Sequence, residues 1–295
     1  MRMQHSRLCG HLLALFTVCV WGTTFIASKI LLADFTPAEI MFFRLIIAIV
    51  LLFAIHPHPI RPTSLREEGL FLIAGFFGVT LYFFCENTAL VYTYASNVGI
   101  LISAVPFFTG LAIYAFLRED KPTRRFFLGF AVAMAGAALV ALNGAALSLD
   151  PFGDFLVLLA ALCWSIYSVA YRVLCRRDIN TVDATRRIFL YSLVTMLPLL
   201  LHEGSSVRLE RFANMKYLAA MLFLGVLGSA ICFVTWNTAM TILGTASATA
   251  YLYAQPIPTL LASAIVLDEK ITPLALVGTL LILTGLVLSQ KKQGG

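Results

Sequence analysis

Apolar runs long enough to cross a bilayer recur along almost the whole 295-residue chain. A hydrocarbon core of about 30 Å takes roughly 20 apolar residues wound as an α-helix. Backbone polar groups find no water there, and helices satisfy them within each segment. Ten segments fit, near residues 8–30, 37–55, 69–92, 95–117, 126–143, 153–174, 184–201, 216–240, 245–267 and 273–290. The chain is 60% hydrophobic and 12% charged, with a mean hydropathy of +0.90, whereas about a quarter of a soluble domain is charged. The expected fold class is all-α integral membrane, with loops too brief to hold a separate soluble site.

A net charge of +6 would suit nucleic acid if it formed a basic stripe on a polar face. Instead, the Lys and Arg residues sit in the breaks between apolar runs, where they act as topology signals. Placing the N-terminus inside puts most of the 21 Lys and Arg residues on the cytoplasmic side. The expected location is a bacterial-type cytoplasmic (inner) membrane, with both termini cytoplasmic. Arg2 and Arg7 ahead of an apolar run resemble a signal peptide, but the run continues to about Ile30 without a clear cleavage site, which predicts a retained first helix. Lys29, Arg172, Arg44 and Arg187 read as helix-end groups that snorkel to the interface. Four of the six cysteines lie inside apolar runs and none forms a CxxC pair, so neither a disulfide framework nor a metal or cofactor site is expected.

The chain also matches itself. An offset of 143 pairs Trp21 with Trp164, Lys29 with Arg172 and Arg44 with Arg187. An offset of 150 pairs Asn87-Thr88-Ala89 with Asn237-Thr238-Ala239, Pro106 with Pro256 and Glu119 with Glu269. Ordered matches at nearly constant offset predict an internal duplication, with one unit at 1–145 and a second at 150–295. Five spans per unit force the second unit into the membrane from the opposite side. The expectation is therefore ten transmembrane helices in two inverted five-helix repeats, an architecture that supports alternating access around a midplane site.

Glu86 is the sharpest candidate for chemistry, because it is the acid inside an otherwise uncharged span. An intramembrane carboxylate is costly, so it faces a cavity or a partner. It can attract a cationic solute group or take up a coupling proton; alternatively it sits near the helix end and bonds Asn97. Trp164, Tyr167, Ser168 and Tyr171 share one helix face, and the equivalent positions Trp21, Thr24, Phe25 and Ser28 make a similar one. Two such walls suit an amphiphilic or cationic solute; the alternative is plain helix packing. Tyr251 and Gln255 lie on a helix interrupted by Pro256, as Pro106 interrupts its counterpart. Asn87, Asn237 and Trp236 complete the solute-binding set, with helix glue as the other role open to the two asparagines.

The stretch Val20-Trp21-Gly22-Thr23-Thr24-Phe25-Ile26-Ala27-Ser28-Lys29, the Phe43-Arg44-Leu45 step, Asn87-Thr88-Ala89-Leu90, and Asp268-Glu269-Lys270 ahead of Gly278 and Gly285 resemble the EamA family of the drug/metabolite transporter superfamily. The resemblance covers essentially the whole chain. It implies a central cavity and transport of amino acids, amines or related metabolites, often outward. The expected function is a secondary transporter, an exporter working by alternating access, with a small-molecule solute, lipid and coupling protons as partners and no nucleic acid. A monomer would suffice, and a weak homodimer is compatible. The alternatives are a channel or a membrane-embedded enzyme; against the enzyme, the sequence carries no HExxH, GxSxG or Walker motif.

Overall fold

The computed structural model describes residues 2–58, 64–93, 95–119, 121–141, 150–177, 179–203, 208–266 and 272–289. Among them every regular element is helical: α1 (Arg2–Leu31), α2 (Pro37–Ile55), α3 (Leu65–Tyr92), α4 (Ala95–Ile102), α5 (Val105–Leu117), α6 (Arg124–Ala141), α7 (Pro151–Leu174), α8 (Thr181–His202), α9 (Met215–Leu243), α10 (Thr245–Thr249), α11 (Pro256–Val266) and α12 (Pro273–Ser289). Short 3-10 turns at Leu209–Ala213 and Ala250–Ala254 join them. Six helices, α1, α2, α3, α7, α8 and α9, are long and apolar enough to cross a membrane, and α5 and α12 are shorter apolar helices. The chain is a multi-pass membrane protein. The Asp268-Glu269-Lys270 stretch lies outside the described residues.

Helix starts follow local chemistry. Thr36 and Glu39 close a capping box around Pro37, whose missing N–H is no loss in a first turn. Asp150 caps α7 by accepting from the Gly153 amide at 2.7 Å. Asn180 and Asn214 cap α8 and α9 in the same way. The segments read as single spans at 95–117 and 245–267 are each broken. The first stops at Ser103 and restarts so that Pro106 falls in the opening turn of α5. The second passes through the Ala250–Ala254 turn and restarts at Pro256. Both prolines thus sit where no amide donor is required, instead of bending a continuous helix.

Three π-helical stretches, Phe76–Leu81 in α3, Ile113–Leu117 in α5 and Phe223–Ile231 in α9, shift the side-chain register within their helices. Two of them bring glycines against neighbours. A Cβ on Gly78 would lie 2.4 Å from the Tyr167 ring, and one on Gly225 would lie 2.6 Å from Ile47. The tightest backbone approach joins α6 and α12, where a Cβ on Gly136 would lie 2.5 Å from the Gly278 carbonyl oxygen and one on Gly285 2.5 Å from the Ala133 nitrogen. Small residues allow such contact, which replaces the hydrophobic drive that lipid does not supply between helices.

Substituting Gly136→Ala forces those backbones apart and is expected to cost about 1–3 kcal/mol. Gly69→Ala, with nothing within 4 Å of its Cβ, is the control. Thermal unfolding of the two variants in the same detergent checks this; equal melting temperatures would contradict the close packing.

Candidate functional site

The helices converge on a cluster of rings. Trp21 of α1 meets Trp164 of α7 edge to face at 5.1 Å, Trp236 of α9 at 5.1 Å and Phe233 at 5.7 Å. Tyr82 of α3 closes on Trp164 at 4.8 Å. These separations and tilts match the favoured geometry of aromatic pairs. All four helices thus contribute to one buried centre, and Trp21 anchors it by donating from Nε1 to the Gly228 carbonyl at 2.9 Å. The indole nitrogens of Trp164 and Trp236 are buried and make no hydrogen bond among the described residues.

Two charges lie beside the rings. Glu86 is 3% exposed and Arg44 2% exposed, each inside its helix. The Arg44 guanidinium covers the face of Phe83 at 3.9 Å and donates from Nε to Ser229 Oγ at 2.9 Å. Its Nη1 and Nη2 make no hydrogen bond among the described residues. Glu86 lies within electrostatic reach of Arg44 and pairs with the Tyr82 hydroxyl one turn earlier. Arg44 is therefore not the snorkelling helix-end group its sequence position suggests: it points inward, because α9 offers Ser229 and α3 offers a ring face and a carboxylate. Ser229, Tyr82 and Phe83 are likewise members that the sequence did not single out. An uncharged span with one acid implied a cation nearby, and the cation in the adjacent span was the available signal.

The other expected residues divide. Thr24 is spent on the Trp21 carbonyl at 2.7 Å, beside Gly228. Ser28, one turn on, is fully buried with its hydroxyl unpaired. Asn87 is fully buried, and neither its amide nitrogen nor its oxygen has a hydrogen-bond partner among the described residues. Asn237 instead accepts from the Tyr167 hydroxyl and donates to Thr185 Oγ1 at 3.0 Å, which makes it helix glue. Tyr171 turns toward a cavity of about 130 Å³ lined also by Cys175, Arg177 and Thr241. Tyr251 lies apart from the charges and shares a 2.7 Å hydrogen bond with His11 Nδ1. Gln255 is buried, and its carbonyl lies against Gly22 and accepts from the Thr259 hydroxyl. The Asn97 side chain lies outside the described residues.

Ion pairs join helix ends. Glu119 binds Arg172 and Arg176, Glu67 meets Arg177 at 3.4 Å, and Glu68 meets Arg187 at 3.1 Å and the Tyr191 hydroxyl at 2.8 Å. His56 meets Asp183 at 3.0 Å, and Asp183 also binds Arg186. In the first turn of α2, Glu39 is gripped by Arg211 through both terminal nitrogens, at 2.8 and 2.9 Å. Such two-pronged contacts are stronger than single ones.

Asn87 and Asn237 invite a paired test. Asn237→Leu strands Tyr167 and Thr185 and is expected to cost about 1–3 kcal/mol. Asn87→Leu removes an amide with no partner to lose and is expected to keep or raise the melting temperature. A matching loss in both variants would show that Asn87 is also structural.

Comparison with known proteins identifies the family and the fold. The EamA-like transporter family profile matches residues 8–142 and 151–290. An uncharacterized transporter of Archaeoglobus fulgidus is 28% identical over 96% of this chain and 98% of its own length. A Streptantibioticus cattleyicolor protein named a probable terminal-alkyne amino-acid exporter is 30% identical over 95% of this chain and 92% of its own. A probable amino-acid metabolite efflux pump of Escherichia coli is 24% identical over 94% of this chain and 93% of its own. A solved crystal structure shares the fold at a TM-score of 0.73 with 20% identity, covering 95% of this chain and 96% of that one. Family and named relatives point to a transporter and away from an enzyme. The chain belongs to the EamA-like transporter family.

Proposed function

We propose that the protein is a secondary transporter that exports small amphiphilic metabolites, amino acids or amines, across a bacterial-type cytoplasmic membrane by alternating access. The observation that carries this reading is the burial of Glu86 and Arg44 within electrostatic reach of each other, beside the cluster of Trp21, Trp164 and Tyr82. Charges are expensive at membrane depth, about 2.5–3.5 kcal/mol each on insertion scales, and are kept where a polar cargo or an ion must pass. The names of the Streptantibioticus and Escherichia relatives favour amino-acid-like cargo and outward transport.

The reading includes ten spans in two inverted repeats, at 1–145 and 150–295. Its support is the recurrence of element order: α3 and α9 each carry a π-helical stretch, and the 95–117 and 245–266 segments each break before a proline. Under the positive-inside orientation both termini are cytoplasmic, and so is the end bearing Glu67, Glu68 and Glu119. There, carboxylates of the first half hold arginines of the second, which forms a latch that must open for inward access. Arg176 and Arg172 hold the Glu119 carboxyl below the usual carboxylate range. Its contribution is complete above that range and lost only as pH falls through the lowered value. A transport response between about pH 5 and 8 is therefore not carried by Glu119.

The test is uptake of radiolabelled amino acids and amines into proteoliposomes, with and without an inward-acid gradient, by wild type and Glu86→Gln. Wild type is expected to transport at least one solute above protein-free liposomes, with the gradient-driven component lost in the variant. Unchanged gradient response in Glu86→Gln would return Glu86 to a structural role, and a steady conductance independent of solute would contradict alternating access.

A further inference from the structure

The Arg44 guanidinium is held in place but its terminal donors are idle. Nε is committed to Ser229 Oγ, and one face of the plane is covered by Phe83. Nη1 and Nη2 remain buried without a hydrogen bond among the described residues. A buried guanidinium with vacant donors is costly, and two parallel N–H groups on one edge match the two oxygens of a carboxylate. We propose that Arg44 is the anion subsite of the transport site and binds the carboxylate of a zwitterionic amino acid with an apolar side chain, with Glu86 facing its ammonium group.

The inference rests on the transport reading and narrows its substrate class. Charge decides between ligands. Arg44 and Glu86 interact through space without a direct hydrogen bond, so with Glu86 ionised the site holds one positive and one negative group. A zwitterion matches both. A simple amine leaves the guanidinium unmatched and brings a second positive charge beside it. A phosphate answers Arg44 but sets between one and two negative charges next to Glu86. The rest of the lining agrees with an amino acid. Asn87, one turn on from Phe83, has a free donor and a free acceptor, and Trp164 offers an unpaired Nε1–H beside an aromatic wall suited to an apolar side chain.

The test uses purified full-length protein, titrated calorimetrically with L-leucine and L-phenylalanine, their methyl esters, and isoamylamine and phenethylamine. Wild type is expected to bind the free amino acids at least about 30-fold more tightly than the esters or amines, the effect of leaving one partner of a buried charge pair unmatched. Arg44→Gln is expected to lose that preference, with amine affinity raised and not lowered, because the variant removes a positive charge beside the ammonium and no contact to it. Arg44→Lys keeps the charge without the fork and is expected to recover only part of the preference. If neither variant elutes as folded protein, the ligand series on wild type decides alone.

Equal wild-type affinity for amino acid and amine, binding of none of the six compounds, or an undiminished preference in Arg44→Gln would overturn the proposal. Liposome uptake separates it from the reading beneath it. Uptake of amines without amino acids would sink the carboxylate subsite and leave transport standing. Tight amino-acid binding without uptake would support the subsite and contradict transport.

Discussion

An arginine buried inside a membrane bundle must be matched by the helices around it, and at Arg44 on α2 two neighbouring helices do so together. Ser229 on α9 accepts from Nε, Phe83 on α3 covers the guanidinium plane, and Glu86 on α3 supplies opposite charge. That match requires α2, α3 and α9 to hold one relative register. The π-helical stretch Phe223–Ile231 serves this end, since it carries both Ser229 and Gly228. A Cβ on Gly228 would lie 3.0 Å from Thr24 Cγ2 and 3.6 Å from Arg44 Nη2, so a larger residue would crowd the guanidinium. The Gly228 carbonyl also anchors Trp21, which ties the aromatic centre to the same register.

Polar groups are distributed unequally along the bundle. Those at helix ends are joined into ion pairs, and most intramembrane hydroxyls are spent on carbonyls one turn back, as Thr17, Ser168 and Thr235 are. Unpaired buried groups include Arg44, Asn87, Ser28 and the two indole nitrogens, and also Asp154 Oδ1, Arg186 Nε, Thr245 Oγ1 and Tyr253 Oη away from that set. Native interiors leave few such groups, and under the proposed transport role a bound solute supplies partners to Arg44 and Asn87. Exposed end pairs contribute little each; their value lies in linking helices from the two halves of the chain.

Much of this was readable from residues alone, because bilayer physics leaves few options. Apolar run lengths located the long helices, and an acid in an uncharged run marked Glu86 as buried and interacting. The shared face of Trp164 and Tyr167 does meet Trp21 and Trp236. Periodicity could not say which of two equivalent asparagines is satisfied: Asn237 has Tyr167 and Thr185, but the positions equivalent to these in the first half are Thr24 and Phe42, which offer Asn87 no such pair. It also misassigned Arg44, since repeat pairing with Arg187 suggested a helix end, whereas Arg187 pairs with Glu68 and Arg44 turns inward. Tyr251 shared a helix face with Gln255 in sequence, yet the 3-10 turn at Ala250–Ala254 rotates it toward His11.

The central claim is that this buried cluster opens to each side of the membrane in turn. The most direct measurement is labelling of Asn87→Cys, in a background lacking the six native cysteines, with a membrane-impermeant thiol reagent applied separately to each face of oriented vesicles. Alternating access predicts slow labelling from both faces, reduced from both by a transported solute. Transport that continues while the cysteine stays unlabelled from one face would contradict the account.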